Sequence, residues 1–86
     1  MFQVEISKGA QKELHSIPKK DRKRIDKKFL TLSSYPDLMG CKKLVGYEQL
    51  YRIRQGKYRI VFEVEKKKVV IIVIKVDQRK DVFRSL

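Results

Sequence analysis

The sequence predicts an α+β domain in which two helices pack on one face of a small four-strand sheet. Three observations predict this class. Apolar and polar residues alternate near the N-terminus, apolar residues then recur at helical spacing up to about residue 34, and alternation with a period of two returns in the second half. Helices and strands in separate blocks are typical of an α+β architecture. The 86 residues predict a single domain, residues 1–86, with a thin core.

The N-terminal residues predict one strand followed by a helix. Phe2, Val4 and Ile6 alternate with polar residues, as expected of a strand with one buried face. Ser7 is a residue type that caps helices, because its hydroxyl accepts a bond from a free backbone N–H of the first turn. The apolar residues after it recur at helical spacing: Ala10, Leu14 and Ile17.

A second helix is predicted directly after the first. Pro18 marks a break and a restart, because its fixed φ suits a first helical turn. An apolar stripe follows with the spacing i, i+4 and i+7: Ile25, Phe29 and Leu32. The two segments therefore predict a helical hairpin with a basic outer surface. Its cationic run, residues 19–24, is predicted mainly to be a solvated helix face that adds nonspecific attraction to a polyanion.

The second half predicts a loop and a three-strand antiparallel meander. Residues 35–43 are rich in turn-forming residues and predict a loop, which Leu44 and Val45 are expected to anchor. Strands are predicted at about residues 50–54, 57–65 and 69–76. The last strand is apolar on both faces, so it is expected in the interior of the sheet with the helices covering one side.

The segment LYRIRQGKYRIVFEV, residues 50–64, predicts a two-sided hairpin. Its apolar residues, Tyr51 and Tyr58 included, fall on faces that can be buried, and its cations fall on faces that cannot: Arg52, Arg54, Lys57 and Arg59. A turn at residues 55–56 would place Arg54 opposite Lys57. The same register would place Arg52 opposite Arg59. Like charges in such positions are unfavourable, so an anionic partner is expected on this face.

The net charge of the whole chain also favours an anionic partner. The sequence has 22 Lys and Arg against 10 Asp and Glu, a net charge of +12, which favours a nucleic acid, an anionic membrane surface or an acidic protein as partner. The N-terminus does not read as a signal peptide, and the longest apolar run, residues 69–74, is too short to span a bilayer. The single Cys41 is expected to be a small buried or half-buried residue. A cytoplasmic location is expected.

The chemical motifs disfavour metal and cofactor chemistry. One histidine, His15, and one cysteine cannot supply a zinc site, and no glycine-rich phosphate loop is present, so no cofactor is expected. Asp77 and Asp81 are expected to pair with cations of the tail. A cluster of arginines suits metal-free phosphodiester chemistry, because it can neutralise the charge that builds when an RNA 2′-hydroxyl attacks its neighbouring phosphate. Arginine stays protonated and is a poor general base.

The segment LYRIRQGKYRIVFEV and the later segment VVIIVIKVDQRKDVF resemble the RelE/ParE superfamily of toxins from type II toxin-antitoxin pairs, and more its RelE branch. The resemblance covers nearly the whole chain and is most specific between Leu50 and Phe83. It implies a RelE-like fold and a toxin that enters the ribosomal A site, cuts mRNA there and stops translation. It also implies a cognate antitoxin, acidic or amphipathic, that wraps the toxin and covers its basic face.

The resemblance also assigns residues. Arg52 and Arg54 match the paired basic residues before the turn, Arg59 matches a phosphate-stabilising arginine, and Arg79 matches a tail arginine that contacts the leaving group or phosphate. The implied catalytic residues are thus all arginines. Further contacts with RNA are expected from four cations: Lys57, Lys80, Arg84 and Lys23.

Two departures from the family pattern affect proton transfer. Phe83 stands where many members have a tyrosine, and Gln78 stands where others have a histidine. The resemblance therefore does not identify the general base, and the candidates are Tyr47, Glu48, Asp81 and a ribosomal RNA group.

Other functions remain as alternatives. One is a ParE-like protein that poisons DNA gyrase without cutting RNA, and another is an inactive RNA-binding relic. Base stacking is disfavoured, because Tyr51 and Tyr58 are predicted on the core face. A membrane-surface role is the least favoured, because the second helix has a modest apolar stripe and the chain has no Trp.

Overall fold

A computed structural model describes residues 1–78 and confirms the α+β class. Its elements are β1 (Gln3–Ile6), α1 (Lys8–His15), α2 (Lys19–Thr31), a 3₁₀ turn (Leu32–Ser34), β2 (Lys42–Lys43), β3 (Leu50–Gln55), β4 (Tyr58–Glu65) and β5 (Val70–Asp77). The sheet has the order β1-β5-β4-β3-β2, with β1 parallel to β5 and the other neighbours antiparallel. The apolar β5 therefore lies inside the sheet, as predicted. Within residues 1–78, no helix has the length and apolar character that a membrane crossing requires.

The fifth strand, β2, falls inside the segment predicted to be a loop. It has two residues, and they pair with Arg52 and Tyr51 at the edge of the sheet. Two residues are too few to show an alternating pattern, which is why the sequence predicted only four strands. Lysines on a short edge strand also discourage further strand pairing. The predicted anchoring by Val45 is wrong, since this side chain is 97% exposed.

The helices begin where the sequence predicted. The Ser7 hydroxyl accepts a hydrogen bond from the Ala10 backbone N–H at 3.1 Å, which caps α1. Pro18 directly precedes α2. Both apolar stripes point into one core on a single face of the sheet, where they meet strand residues that include Ile53, Ile60 and Val73. The opposite face of the sheet is therefore the one that carries the hairpin arginines.

Aromatic residues close one end of the core. Tyr51 stacks on the buried Phe62 with ring centroids 5.8 Å apart, and Tyr35 contacts Tyr51 edge-on at 5.3 Å. The Tyr35 hydroxyl donates to the Tyr51 hydroxyl at 2.9 Å. Burial, with this hydrogen bond, raises the pKa of Tyr35 to about 12. Burial likewise raises the pKa of the half-buried Cys41 thiol, which packs against the core as the sequence predicted.

A hydrogen bond ties the hairpin to the helices. Tyr58 is buried on the core face, and its hydroxyl donates to Asp21 Oδ2 of α2 at 3.1 Å. Burial and this bond raise the pKa of Tyr58. The predicted core positions of both hairpin tyrosines are thus confirmed, because Tyr51 also packs against the core.

The register of the β3–β4 hairpin differs from the predicted one. The turn consists of Gly56 and Lys57, and Gly56 has φ +60°, a conformation that glycine adopts without strain. Arg54 lies opposite Arg59 instead of Lys57, and Arg52 lies opposite Val61. The shift is two residues, so every side chain keeps its predicted face. A pattern with period two cannot distinguish these registers, and the positive φ of Gly56 fits the observed turn.

A β-bulge interrupts the pairing of β4 with β5. Val61 pairs with Lys75, but the next residue, Phe62, pairs with Val73, so Ile74 is an extra residue on β5. The bulge reverses the alternation along β5. Val73 faces the core before it, and Val76 faces the core after it. Residues beyond the bulge therefore point to the opposite side from the one that uninterrupted alternation would give.

Candidate functional site

The candidate site lies on the sheet face opposite the helices, at the end near the hairpin turn. Arg54, Arg59 and Asp77 lie side by side on β3, β4 and β5, because Arg59 is the register partner of both neighbours. This set is called the arginine row below. Side chains of directly opposite residues start about 4.5–5.5 Å apart. The predicted convergence of cations on one rigid face is therefore present, with a carboxylate added.

A second row runs parallel to the first, one step further along the strands. It holds Lys42, Arg52, Val61 and Lys75. Lys75 is engaged elsewhere, since its Nζ lies 3.1 Å from Glu13 Oε2 of α1. Val61 is fully buried although it lies on the arginine side of the sheet. The cations of this row that remain with the arginines are Arg52 and the edge residue Lys42.

The positive charge does not extend over the whole face. Further from the hairpin turn, the register places acidic and apolar residues across the strands: Glu5, Leu50, Glu63, Glu65 and Ile72. Along a strand, the nearest of these carboxylates on β4 is four residues, about 13 Å, from Arg59. The face is therefore polarised, with its cations concentrated around the arginine row.

The other predicted site residues fall in different places. Lys57 lies in the turn next to the arginine row, with its Nζ 5.7 Å from the centroid of the Tyr58 ring. Lys23 is exposed on α2, which covers the other face of the sheet, so the structure does not bring it to the arginine row. The predictions for Arg79, Lys80 and Arg84, and those for Asp81 and Phe83, lie outside the described residues.

A cleft opens beside the arginine row. It has a volume of about 400 Å³ and lies between the α1–α2 corner and the ends of β4 and β5. Its lining includes Pro18, Lys57, Tyr58, Asp77 and Gln78. A larger groove of about 600 Å³ lies at the opposite end of the strands, next to lysines of the β4–β5 turn. Of the two, the smaller cleft meets the arginine row, through Asp77, and its described lining contains no arginine.

The structure places two of the candidate general bases far from the arginine row. Tyr47 and Glu48 precede β3 at the end far from the hairpin turn, and Glu48 lines the distant groove. Four residues of strand, about 13 Å, separate Leu50 from Arg54, and Glu48 lies in the turn beyond Leu50. Asp77 lies in the arginine row, and its predicted pairing with cations of the tail falls outside the described residues. No sequence signal marked this position, because the intervening bulge reverses the strand alternation.

The arrangement suits recognition of phosphate esters. Two arginines on adjacent strands of a sheet offer guanidinium groups that can bind phosphate oxygens in a bidentate manner. No aromatic side chain of the five strands lies on this face in the described register, so stacking of bases on the sheet is not provided. The fold and the face thus define a small basic protein with a cluster of arginines on the open face of its sheet.

Comparison with known proteins identifies the class of this chain. Residues 4–83 match the family model described as the ParE toxin of type II toxin-antitoxin systems, parDE. The RelE1 protein of Methanocaldococcus jannaschii is 30% identical over 87 residues, covering 98% of this chain and 97% of that protein. The chain therefore belongs to the RelE/ParE superfamily of type II toxin-antitoxin toxins, and it is RelE-like.

Solved structures agree with this membership. The toxin fold in the intact Escherichia coli RelBE toxin-antitoxin complex matches with a TM-score of 0.79 and 27% identity, covering 93% of this chain and 99% of that one. The RelB-RelE antitoxin-toxin complex from Methanococcus jannaschii matches with a TM-score of 0.76 and 32% identity, covering 96% and 99%. The predicted superfamily and fold are both confirmed.

Proposed function

We propose that this toxin is a metal-independent endoribonuclease that cuts mRNA in the ribosomal A site and so stops translation. The observation that carries the proposal is the arginine row, in which two like charges are held opposite one another on adjacent strands. Two guanidinium groups held in this way can together bind the oxygens of one anionic phosphate. Membership of the RelE-like toxins supports RNA as that anion.

The chemistry follows from the positions of these residues. Attack of a 2′-oxygen on the adjacent phosphorus forms a five-coordinate transition state with extra negative charge on the non-bridging oxygens. Arg59 is central in the row and would bind these oxygens, and Arg54 and Arg52 would hold the flanking phosphates. The P–O5′ bond then breaks and leaves a 2′,3′-cyclic phosphate. The arginines supply charge and orientation, and a separate group must accept the 2′-hydroxyl proton.

The ribosome is the expected second part of the site. The described face offers phosphate-binding cations but no stacking surface for bases, so the RNA must be held in a bent, reactive geometry by something else. A decoding site that positions three nucleotides of mRNA would meet that need, and proximity of this kind contributes a large part of many rate enhancements. This proposal places the active toxin in the cytoplasm.

A cognate antitoxin is the expected inhibitor. Relatives crystallised as RelB-RelE complexes support a protein partner of this kind. The polarised face predicts its chemistry, because acidic residues of the antitoxin would lie near Arg54 and Arg59 and neutralise their repulsion. Occupation of this face would block RNA at the same time.

The test is mapping of mRNA 5′ ends on purified ribosomes stalled with a defined codon in the A site. The wild-type protein is expected to cut within that codon, whereas ribosome-free RNA stays intact. Arg59→Ala is expected to lower the rate of cutting at least about 100-fold, as loss of one transition-state contact typically does. Lys12→Ala, which removes an exposed cation from α1, is the matched control and is expected to cut normally. Intact mRNA at stoichiometric wild-type protein would refute the proposal.

A second candidate is poisoning of DNA gyrase. It is favoured by one observation, the match of residues 4–83 to the ParE family model. Gyrase supercoiling with the protein added tests it directly. Lost supercoiling with trapped cleaved DNA, together with intact mRNA in the ribosome assay, would establish the gyrase function instead.

A further inference from the structure

We propose that Asp77 is the general base that accepts the proton of the attacking 2′-hydroxyl. This inference rests on the proposed ribonuclease function and supplies the group that the arginines cannot. It assigns a catalytic role to a residue at the end of β5, directly opposite Arg59 in the sheet.

The first support is the position of the carboxylate. A phosphate bound by Arg59 would lie over the arginine row, and the 2′-hydroxyl that attacks it is attached to the adjacent ribose. Asp77 begins about 5 Å from Arg59 in the same row, so its carboxylate and the ribose next to that phosphate would lie on the same side of the sheet. The Gln78 backbone N–H donates to Asp77 Oδ1 at 2.6 Å and so restrains the carboxylate.

The second support is the bulge at Ile74. With uninterrupted alternation, Asp77 would share the face of Ile71 and Val73, which are both fully buried in the core. The extra residue reverses the alternation and places Asp77 on the arginine side. Bulges are common next to active sites because they re-aim a side chain in this way. The bulge therefore determines which face the carboxylate occupies.

The end of β5 is fixed in this orientation from the helix side. Glu13 Oε1 accepts the Val76 backbone N–H at 2.9 Å, beyond the point where β1 stops pairing with β5. Glu13 Oε2 binds Lys75 at 3.1 Å. These two bonds hold the two residues that follow the bulge, so the strand reaches Asp77 in a defined register.

The third support is the position of the other acidic candidates among residues 1–78. Glu63 and Glu65 lie on the arginine face but at least about 13 Å along β4 from Arg59. Glu13 and Asp21 belong to the two helices, which cover the other face of the sheet. Within that part of the chain, Asp77 is the carboxylate in the arginine row.

Transfer of the 2′-hydroxyl proton accompanies the formation of one P–O bond and the breaking of another. The 2′-O–H bond breaks and its proton passes to a carboxylate oxygen of Asp77, while the 2′-oxygen forms a bond to phosphorus. The P–O5′ bond breaks, and the leaving 5′-oxygen takes a proton from water. Protonated Asp77 then returns its proton to the solvent, which restores the ionised carboxylate for the next turnover.

The test compares single-turnover cutting rates of wild type, Asp77→Asn and Asp77→Glu on A-site-stalled ribosomes between about pH 6 and 9. Asp77→Asn is expected to cut about 10²–10⁴-fold more slowly, the usual contribution of a general base. The wild-type rate is expected to be flat with pH, because a carboxylate base takes the proton without the help of hydroxide. The Asp77→Asn rate is expected to rise about tenfold per pH unit, since hydroxide must then remove the proton. Asp77→Glu, which keeps a carboxylate, is expected to recover part of the rate and the flat profile.

The outcomes separate this inference from the proposed function. If wild type cuts and Asp77→Asn cuts within about threefold of it, Asp77 is not the base and the ribonuclease function stands. If Asp77→Asn is slow but keeps the flat profile of wild type, the residue only positions Arg59 and the inference is wrong. If wild type itself does not cut, the proposed function fails first. Circular dichroism of each variant checks folding, and Asp77→Glu provides the test if Asp77→Asn does not fold.

Discussion

The opposed arginines of the hairpin should destabilise the free protein by a measurable amount. Arg54 and Arg59 are register partners, with Arg54 exposed and Arg59 half-buried. Two unit charges about 6 Å apart at an effective dielectric constant of about 80 repel by about 0.7 kcal/mol. Screening leaves about 0.6 kcal/mol at ~10 mM salt and about 0.1 kcal/mol at ~1 M salt, where the Debye length is near 3 Å.

A double-mutant cycle isolates this repulsion from other effects of each substitution. The cycle uses Arg54→Gln, Arg59→Gln and the double variant, with the free energy of unfolding taken from urea titrations. We expect Arg54→Gln to stabilise the protein by about 0.6 kcal/mol more in the wild-type background than in the Arg59→Gln background at low salt. Any effect of Asp77 on Arg59 cancels in the comparison of the two Arg54 substitutions.

Salt and a distant cation supply the controls. The coupling should shrink about sixfold between ~10 mM and ~1 M salt. A cycle of Arg54 with Lys66, which follows β4 at its other end about 23 Å away, should be additive. Zero coupling between Arg54 and Arg59 at low salt, or coupling that salt does not change, would refute both the register and the inference that an anion belongs there.

Three further predictions concern stability. Phe62→Ala should lower the free energy of unfolding by about 3–5 kcal/mol in urea titrations, because the ring is fully buried and stacks on Tyr51; a loss below about 1 kcal/mol would contradict that packing. Gly56→Ala should cost about 1–2 kcal/mol in the same titration, because φ is +60°, and an unchanged midpoint would place the turn elsewhere. The pKa of Tyr35 is about 12 in the fold and near 10 in the unfolded chain, so the free energy of unfolding should fall as pH rises from about 10 to 12. Tyr35→Phe should make that fall shallower in unfolding curves measured across this range. An equally steep fall in the variant would exclude Tyr35 as its source.

The sequence was sufficient to predict the two helices, four of the five described strands and the residue types on one face of the sheet. Helical spacing and the Ser7 cap located α1, and the alternation in residues 50–64 separated the arginines from the core. Helical spacing, a helix cap and alternation along a strand all involve residues that are close together in the sequence, so one sequence is enough to predict them. The strand β2 was missed because two residues carry no period.

The sequence by itself therefore determined which residue types share a face. The resemblance and the prediction of an anionic partner both followed from these residues. The pairing of those residues across strands was decided only in the tertiary structure. A period of two permits registers that differ by two residues, and the turn at Gly56 selected the one that opposes Arg54 to Arg59. The bulge at Ile74 reversed the alternation of β5 and brought Asp77 to the arginines. Both outcomes depend on the packing of whole strands against the helices, a long-range property that no local pattern encodes.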